Sequence, residues 1–240
     1  MKRIIPRGVG IISLCAIFML DTACRKPADD AQVQKPAAEE GQVQPTVKED
    51  PPVQAAPKNV QNLQADAFDI RKIPQAGDGD LLVLKEMPNL RKIVLDKAPI
   101  TDEGMLVVGQ LTAVNYLALC ETQVTDKGLG LLRNLSGLEV LRLDKLRITD
   151  AGLEHVKAFP KLKHLSLWRT AITDAGLVHL KNLSFLEHLS LDETLVSDEG
   201  IKQLYGLPRL KYLSKWRTKV SDAGVKAFKA KMPQVKVNPG

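Results

Sequence analysis

The side chains best suited to binding recur at a fixed 24-residue spacing near the C-terminal end of the chain. Two histidines are separated by this spacing, and the two tryptophans of the chain are separated by twice as much, each followed by an arginine. Trp, Tyr and Arg are the residue types enriched at the centres of protein interfaces. We therefore expect a protein- or peptide-binding surface at these residues and at the polar residues in register with them. The set is His164, Ser166, Trp168, Arg169, His188, Asp192, Glu193, Tyr212, Trp216 and Arg217.

Catalysis and metal binding need combinations of side chains that this sequence does not supply. The three cysteines cannot form a disulfide framework or a four-ligand zinc site. Cys120 is expected to be a partly exposed thiol, and no base stands near it in the 24-residue register to make it a nucleophile. His164 and His188 are expected on adjacent strands, but no carboxylate or cysteine completes a metal site with them. The expectation is a non-enzymatic protein with no cofactor and no bound metal.

Composition and charge limit the classes of partner that the sequence predicts. The 240 residues are 44% apolar and 26% charged, which is ordinary for one or two globular domains. The 34 basic and 28 acidic residues leave a net charge of only +6, so nucleic acid is not an expected partner.

A second set of polar residues shows the same period in every unit. Thr-Asp or Ser-Asp pairs recur at that spacing without a slip, and a glycine follows each aspartate at the second position. Such pairs are expected to be helix N-caps, because a side-chain oxygen can accept hydrogen bonds from free N–H groups at a helix start. A ladder of cations bound by the aspartates is the less favoured alternative. The repeated glycines suggest a close backbone approach to the neighbouring strand. The aspartates are Asp102, Asp126, Asp150, Asp174, Asp198 and Asp222.

An apolar frame precedes each pair. Leu138, Leu141 and Leu143 follow the pattern L-x-x-L-x-L, in which the last two leucines alternate as in a strand, and Leu153 and Val156 then follow with near-helical spacing. The whole unit resembles a leucine-rich repeat in the 24-residue form that ends T-x-I-T-D-x-G-L. This resemblance implies an α/β fold: a right-handed solenoid with a parallel β-sheet on the concave face and short helices on the convex face.

The N-terminal residues have the features of an export signal. Lys2, Arg3 and Arg7 precede an uncharged run, which is too short to span a bilayer. Ala23 and Cys24 then resemble the bacterial lipoprotein box, although Asp21 stands where an apolar residue is usual. Residues 1–23 are therefore expected to be a lipoprotein-type signal peptide, with Cys24 lipidated. The alternative is a plain secretory signal and a soluble secreted protein.

The rest of the chain divides by composition. Residues 24–60 contain six of the 14 prolines and no leucine or aromatic residue, so they are expected to be a disordered linker. Residues 61–76 are a possible N-terminal cap. Residues 77–240 are expected to form a leucine-rich repeat domain of about six full coils plus partial end coils.

These features together favour a non-enzymatic protein- or peptide-binding module. It would be displayed outside the cytoplasm on a lipid tether at Cys24, facing the periplasm or the cell exterior, and would bind through the concave sheet face. The alternative is a structural or scaffold lipoprotein of the cell envelope that acts by self-association or cell-wall contact.

Overall fold

Eight short parallel strands form one sheet in which neighbours in sequence are neighbours in space. The computed structural model describes residues 66–73 and 75–238. The predicted signal peptide, the predicted linker and Cys24 lie outside the described residues. The strands are β1 (Ala67–Asp69), β2 (Lys92–Val94), β3 (Tyr116–Ala118), β4 (Val140–Arg142), β5 (His164–Ser166), β6 (His188–Ser190), β7 (Tyr212–Ser214) and β8 (Lys236–Asn238).

Helices connect the strands on the other side of the core. The α-helices are α1 (Asp102–Val108), α2 (Asp126–Leu131), α3 (Asp150–Leu153), α4 (Asp174–Leu177), α5 (Asp198–Lys202) and α6 (Asp222–Lys231). Four 3₁₀-helices span Ile70–Lys72, Asp78–Glu86, Glu154–Ala158 and Val178–Leu180. The sheet already begins at Ala67, within the stretch that was considered as a possible cap, because Phe68 and Ile70 are buried in the same core as the leucines.

The 24-residue period of the sequence sets the register of the sheet. From β2 to β8 every strand residue pairs with its equivalent in the next repeat, as Leu141 does with Leu165 and Leu165 with Leu189. Each of these leucines is almost fully buried between the sheet and the helices. Burying one such side chain stabilises the fold by roughly 1.5–3 kcal/mol, and one coil supplies too few of them to fold alone.

The residue that caps each helix is the Thr or Ser of the repeated pair, not the aspartate. Thr125 begins α2, and its Oγ1 accepts a hydrogen bond from the backbone N–H of Lys127 at 3.3 Å. The aspartate is the first helical residue, and its carboxylate accepts from the next coil. For example, the N–H and the hydroxyl of Thr125 donate to Asp102 at 2.8 and 2.7 Å.

This inter-coil contact recurs along the solenoid. The carboxylates of Asp78, Asp126, Asp150, Asp174 and Asp198 accept the same two bonds from the Thr or Ser of the next coil. Asp222 begins α6, the last helix that the structure describes. The Thr/Ser-Asp pairs are therefore N-caps as expected, but through the Thr or Ser. The expectation that the aspartates themselves are caps is corrected: all of them except Asp222 accept hydrogen bonds that join one coil to the next.

The repeated glycine makes room for that carboxylate. A Cβ atom at Gly128 would overlap Oδ1 of Asp102, the aspartate of the preceding coil. The glycine was expected to permit a close approach to the neighbouring strand. It instead makes room for the aspartate side chain of the preceding coil.

A left-handed backbone residue follows each strand from β2 to β7. Its φ lies between 53° and 64°, and it is always charged: Lys97, Glu121, Lys145, Arg169, Glu193 and Arg217. This conformation is uncommon for residues other than Gly, Asn and Asp. In the five residues from Lys97 to Glu193 this conformation is held by the fold, because the N–H donates to a carbonyl of the next coil, as Lys97 does to Cys120 at 2.8 Å.

Candidate functional site

The strand side chains that lie between the buried leucines line an open groove on the sheet. The groove has a volume of about 880 Å³ and crosses β3 to β8. Its central lining is His164, His188, Tyr212, Ser166, Ser190 and Ser214. We call this feature the sheet groove.

Three aromatic rings stack along the sheet groove. The ring centroids of His164 and His188 are 4.3 Å apart with 17° between the ring planes, and those of His188 and Tyr212 are 4.4 Å apart with 15°. They stack because the three residues occupy the same register position of β5, β6 and β7. The rings cover one another's faces and leave their edges to solvent, and Tyr212 is 42% exposed. The stack is a preformed aromatic ridge within the sheet groove.

The stack does not suit a shared metal. The lone pair of an imidazole nitrogen lies in the ring plane, so two nearly parallel rings direct their lone pairs along separate planes and not toward one ion. Among the residues that the structure describes, no group of three or more His, Cys, Asp or Glu side chains is placed to hold a metal.

The burial of His164 affects its charge. Partial burial lowers the pKa of His164 below its ordinary value of 6.5, and the neighbouring His188 and Lys163 lower it further, while Glu187 and Glu139 oppose the shift. The lowered pKa favours the neutral form of the His164 ring at pH 7.

The serines at the floor of the groove are oriented by carboxylates beneath them. The hydroxyls of Ser190 and Ser214 donate to Asp192 at 3.1 and 2.7 Å, and the hydroxyl of Ser166 donates to Asp144. Because each hydroxyl hydrogen is used in this way, the serine oxygens can only accept a further hydrogen bond. The floor therefore favours a ligand that brings N–H or O–H donors.

Cys120 is buried, contrary to the expectation of a partly exposed thiol. It is 6% exposed, and its Sγ donates to Oδ2 of Asp144 at 3.2 Å. Burial and the nearby carboxylates raise the pKa of the Cys120 thiol far above its usual range. Arg142 balances that acidic neighbourhood, since its Nη2 lies 3.1 Å from Asp144. The thiol is a hydrogen-bond donor within the fold and has none of the thiolate character of a nucleophile.

The two tryptophans lie past the ends of the strands and not among the residues that line the sheet groove. Trp168 is half-buried: its Nε1 donates to Glu193 at 3.3 Å, and the ammonium of Lys145 lies 4.9 Å from its ring centroid. Trp216 is 39% exposed and is covered on one side by Arg217, whose guanidinium lies 4.2 Å from the ring centroid.

The predicted surface thus divides into two parts. One part lies in the sheet groove and comprises His164, Ser166, His188 and Tyr212. The other lies along the edge past the strand ends and comprises Trp168, Arg169, Glu193, Trp216 and Arg217. Asp192 links the two, because it accepts from Ser214 in the groove and from the backbone N–H of Trp216 at 2.6 Å.

Two charged residues at the ends of the groove were missing from the sequence prediction. Lys236 of β8 lies with its ammonium 5.6 Å from the ring centroid of Tyr212, and Lys92 of β2 lies 4.7 Å from that of Tyr116. The 24-residue period predicts both contacts, because each lysine occupies the strand position equivalent to that of the tyrosine beside it: Lys92 with Tyr116 and Lys236 with Tyr212.

The repeat, the parallel sheet and the short helices define an α/β leucine-rich repeat solenoid, and the predicted fold is confirmed. The structure of an internalin C2 from Listeria monocytogenes matches with a TM-score of 0.56 and 23% identity, over 72% of this chain and 80% of that one. At this identity the similarity concerns the fold alone.

Two other solved structures match over smaller shares of their own length. An internalin (inlF) from Listeria monocytogenes has a TM-score of 0.49 and 20% identity, over 65% of this chain and 49% of that one. A leucine-rich repeat protein from Leptospira interrogans has a TM-score of 0.47 and 22% identity, over 65% of this chain and 38% of that one. The chain thus spans about half of the inlF structure. No protein-family model and no curated protein matches the chain.

No helix within residues 66–73 and 75–238 is both long and apolar enough to cross a bilayer.

Proposed function

We propose that this chain is a non-enzymatic protein-binding module that holds an extended peptide segment of its partner in the sheet groove. The observation that carries the proposal is the stack of His164, His188 and Tyr212 above a floor of serines that can only accept hydrogen bonds. An extended peptide matches this surface, because it offers N–H donors along its length and side chains that pack against the ring edges.

The dimensions of the groove agree with such a ligand. Strands in a sheet lie ~4.8 Å apart, so the six strands from β3 to β8 span roughly 24 Å, the length of about seven extended residues. The groove is preformed, so little conformational entropy is lost on its side when a partner binds. Trp168 and Trp216 at the edge then contact the parts of the partner that extend beyond the groove.

The N-terminal sequence supports a proposed location for this module. A signal peptide of residues 1–23, a lipidated Cys24 and a linker of residues 24–60 would place the module outside the cytoplasm, on a membrane and facing the periplasm or the cell exterior. What supports this is the charged start, the short apolar run and the Ala-Cys pair. Mass spectrometry of the protein from its own membrane tests it, because lipidation adds the mass of the acyl chains at Cys24.

A paired set of variants tests the groove. The double variant His188→Ala, Tyr212→Ala removes two rings of the stack without touching a buried leucine. The control His155→Ala, Phe185→Ala removes a histidine and an aromatic ring that are exposed outside the groove. A partner captured from the envelope by the parent protein is expected to be lost with the groove variant and kept with the control.

A third variant, Trp168→Ala with Trp216→Ala, shows whether the edge contributes to the same interaction. Unchanged affinity of the groove variant for that partner contradicts the proposal. Concentration-dependent self-association in analytical ultracentrifugation that the groove variant abolishes, with no other partner captured, favours the scaffold alternative.

A further inference from the structure

A second concave site lies past the C-terminal ends of β3, β4 and β5, apart from the sheet groove. It is a cleft of about 570 Å³ in three successive coils, and it is lined by Glu121, Gln123, Lys145, Arg147 and Arg169 together with two threonines. We call it the basic cleft. Three of its side chains are cationic and one is anionic, so its charge differs from that of the groove.

The charges in the basic cleft are not balanced. Lys145 pairs with Glu121, with 3.0 Å between Nζ and Oε1. Arg147 and Arg169 are exposed, and neither forms an ion pair with any residue of the described part of the chain. Two guanidinium groups therefore line the basic cleft, and no carboxylate of the described residues neutralises them.

The two threonines of the cleft donate hydrogen bonds to residues that do not line it. The hydroxyl of Thr122 donates to the carbonyl of Leu119 at 2.8 Å, and the hydroxyl of Thr125 donates to Asp102 at 2.7 Å. Lys145 is fixed between Glu121 and the ring of Trp168. The free donors that remain are the side chains of Arg147, Arg169 and Gln123.

The geometry points to a carboxylate-bearing ligand, and we propose that the basic cleft binds an acidic peptide segment through Arg147 and Arg169. An arginine guanidinium binds a carboxylate or a phosphate through two parallel N–H donors. Phosphate sites usually add a set of free backbone N–H groups. Here the N–H groups of Glu121, Lys145 and Arg169 already donate to carbonyls of the next coil at 2.7–2.9 Å, and that of Gln123 donates to Ile100 at 2.8 Å.

Because only side-chain cations remain, spaced along successive coils, a row of Glu or Asp side chains suits the cleft better than a single phosphate. This inference does not depend on the sheet groove, since no residue of the basic cleft lines the groove.

Titration with a hexaglutamate peptide at fixed ionic strength tests the proposal. Isothermal calorimetry measures the affinity, and the fluorescence of Trp168 in a Trp216→Phe background reports on the cleft, because Lys145 contacts the Trp168 ring. We expect saturable binding that the double variant Arg147→Gln, Arg169→Gln weakens about tenfold or more, which corresponds to about 1.4 kcal/mol.

The matched control is Arg133→Gln with Arg209→Gln, which removes the same charge from exposed positions outside the cleft. It should bind hexaglutamate like the parent protein, and so should the groove variant His188→Ala, Tyr212→Ala. Equal weakening in the control variant overturns the proposal, because it shows a response to net charge alone. Absence of saturable binding overturns it as well, and tighter binding of inorganic phosphate than of hexaglutamate overturns the carboxylate assignment.

Discussion

The carboxylate of Asp150 occupies the place that a side chain at Gly176 would need. A Cβ built at Gly176 overlaps Oδ1 of Asp150, and that same oxygen accepts the backbone N–H of Thr173 at 2.8 Å. One aspartate thus joins two coils because the next coil carries a glycine. The arrangement recurs along the solenoid, so the Asp of one coil and the Gly of the next are structurally coupled. Mutations at the two positions should therefore have non-additive effects on stability.

The first prediction is a double-mutant cycle on this pair. Gly176→Ala forces the Asp150 carboxylate out of its site, and we expect it to lower the free energy of unfolding by about 1–3 kcal/mol. Asp150→Ala removes two inter-coil hydrogen bonds and should cost about 1–3 kcal/mol. The double variant should cost less than the sum by about 0.5–3 kcal/mol, as measured by urea denaturation, because the alanine methyl then has room.

The control for this cycle is Gly176→Ala combined with Asp102→Ala. Asp102 contacts Thr125 and lies in a distant coil, so the two effects should add. An additive result for the Asp150 pair as well would show that the glycine serves another purpose.

The fold follows from the sequence because the repeat is self-consistent. The central leucine of each strand from β4 to β6 pairs with the equivalent leucine of the next coil, so the 24-residue period determines both the sheet and its register. The stack of His164, His188 and Tyr212 follows from the same register. Residues in one column of a parallel sheet must lie side by side.

The residues past the strand ends could not be placed in this way. Strand alternation predicts an outward side chain at Cys120 and Asp144, but each strand has only three residues, and these two positions lie beyond the last of them. There the chain turns through the left-handed Glu121 and Lys145, and the two preceding side chains turn inward. Asp144 accepts from the hydroxyl of Ser166 and the backbone N–H of Trp168, and the thiol of Cys120 donates to Asp144. No propensity of Glu or Lys signals a positive φ, so the turn is a consequence of packing.

The second prediction concerns those left-handed residues. Lys97 is exposed and has a φ of 64°, so Lys97→Gly relieves backbone strain and should stabilise the fold by about 1 kcal/mol. Lys127→Gly is the control, because Lys127 is an exposed residue of α2, where glycine should destabilise by about 0.5–1 kcal/mol. Thermal unfolding followed by circular dichroism gives both shifts. If the two substitutions change the melting temperature in the same direction, the left-handed conformation does not carry the strain.

The third prediction concerns the thiol of Cys120. In a Cys15→Ser, Cys24→Ser background it is the only thiol of the chain. Burial and the raised pKa should protect it, so the native protein should react with iodoacetamide far more slowly than the protein unfolded in urea. Mass spectrometry of the labelled chain measures both rates. Fast labelling of the native protein would mean that this part of the sheet opens to solvent.

The fourth prediction concerns the charge of His164. In the unfolded chain this histidine titrates near its ordinary pKa of 6.5, whereas in the folded chain burial, His188 and Lys163 lower its pKa despite Glu187 and Glu139. Well above pH 6.5 the neutral form dominates in both states, and the ring has little effect on the pH dependence of stability. As the pH falls from 6.5 through the lowered pKa, the unfolded state binds more protons than the folded state, so folding stability falls with the pH.

Thermal unfolding between about pH 5 and pH 7.5 measures this dependence, in a range above the titration of ordinary carboxylates. We expect the melting temperature of the parent protein to decrease toward the acid end, and His164→Gln to make the decrease smaller, because glutamine takes up no proton. His155→Gln removes an exposed histidine on the helical side and is the matched control for the loss of one histidine. The reverse outcome, with His155→Gln flattening the curve and His164→Gln leaving it unchanged, would contradict the placement of His164 in a partly buried stack.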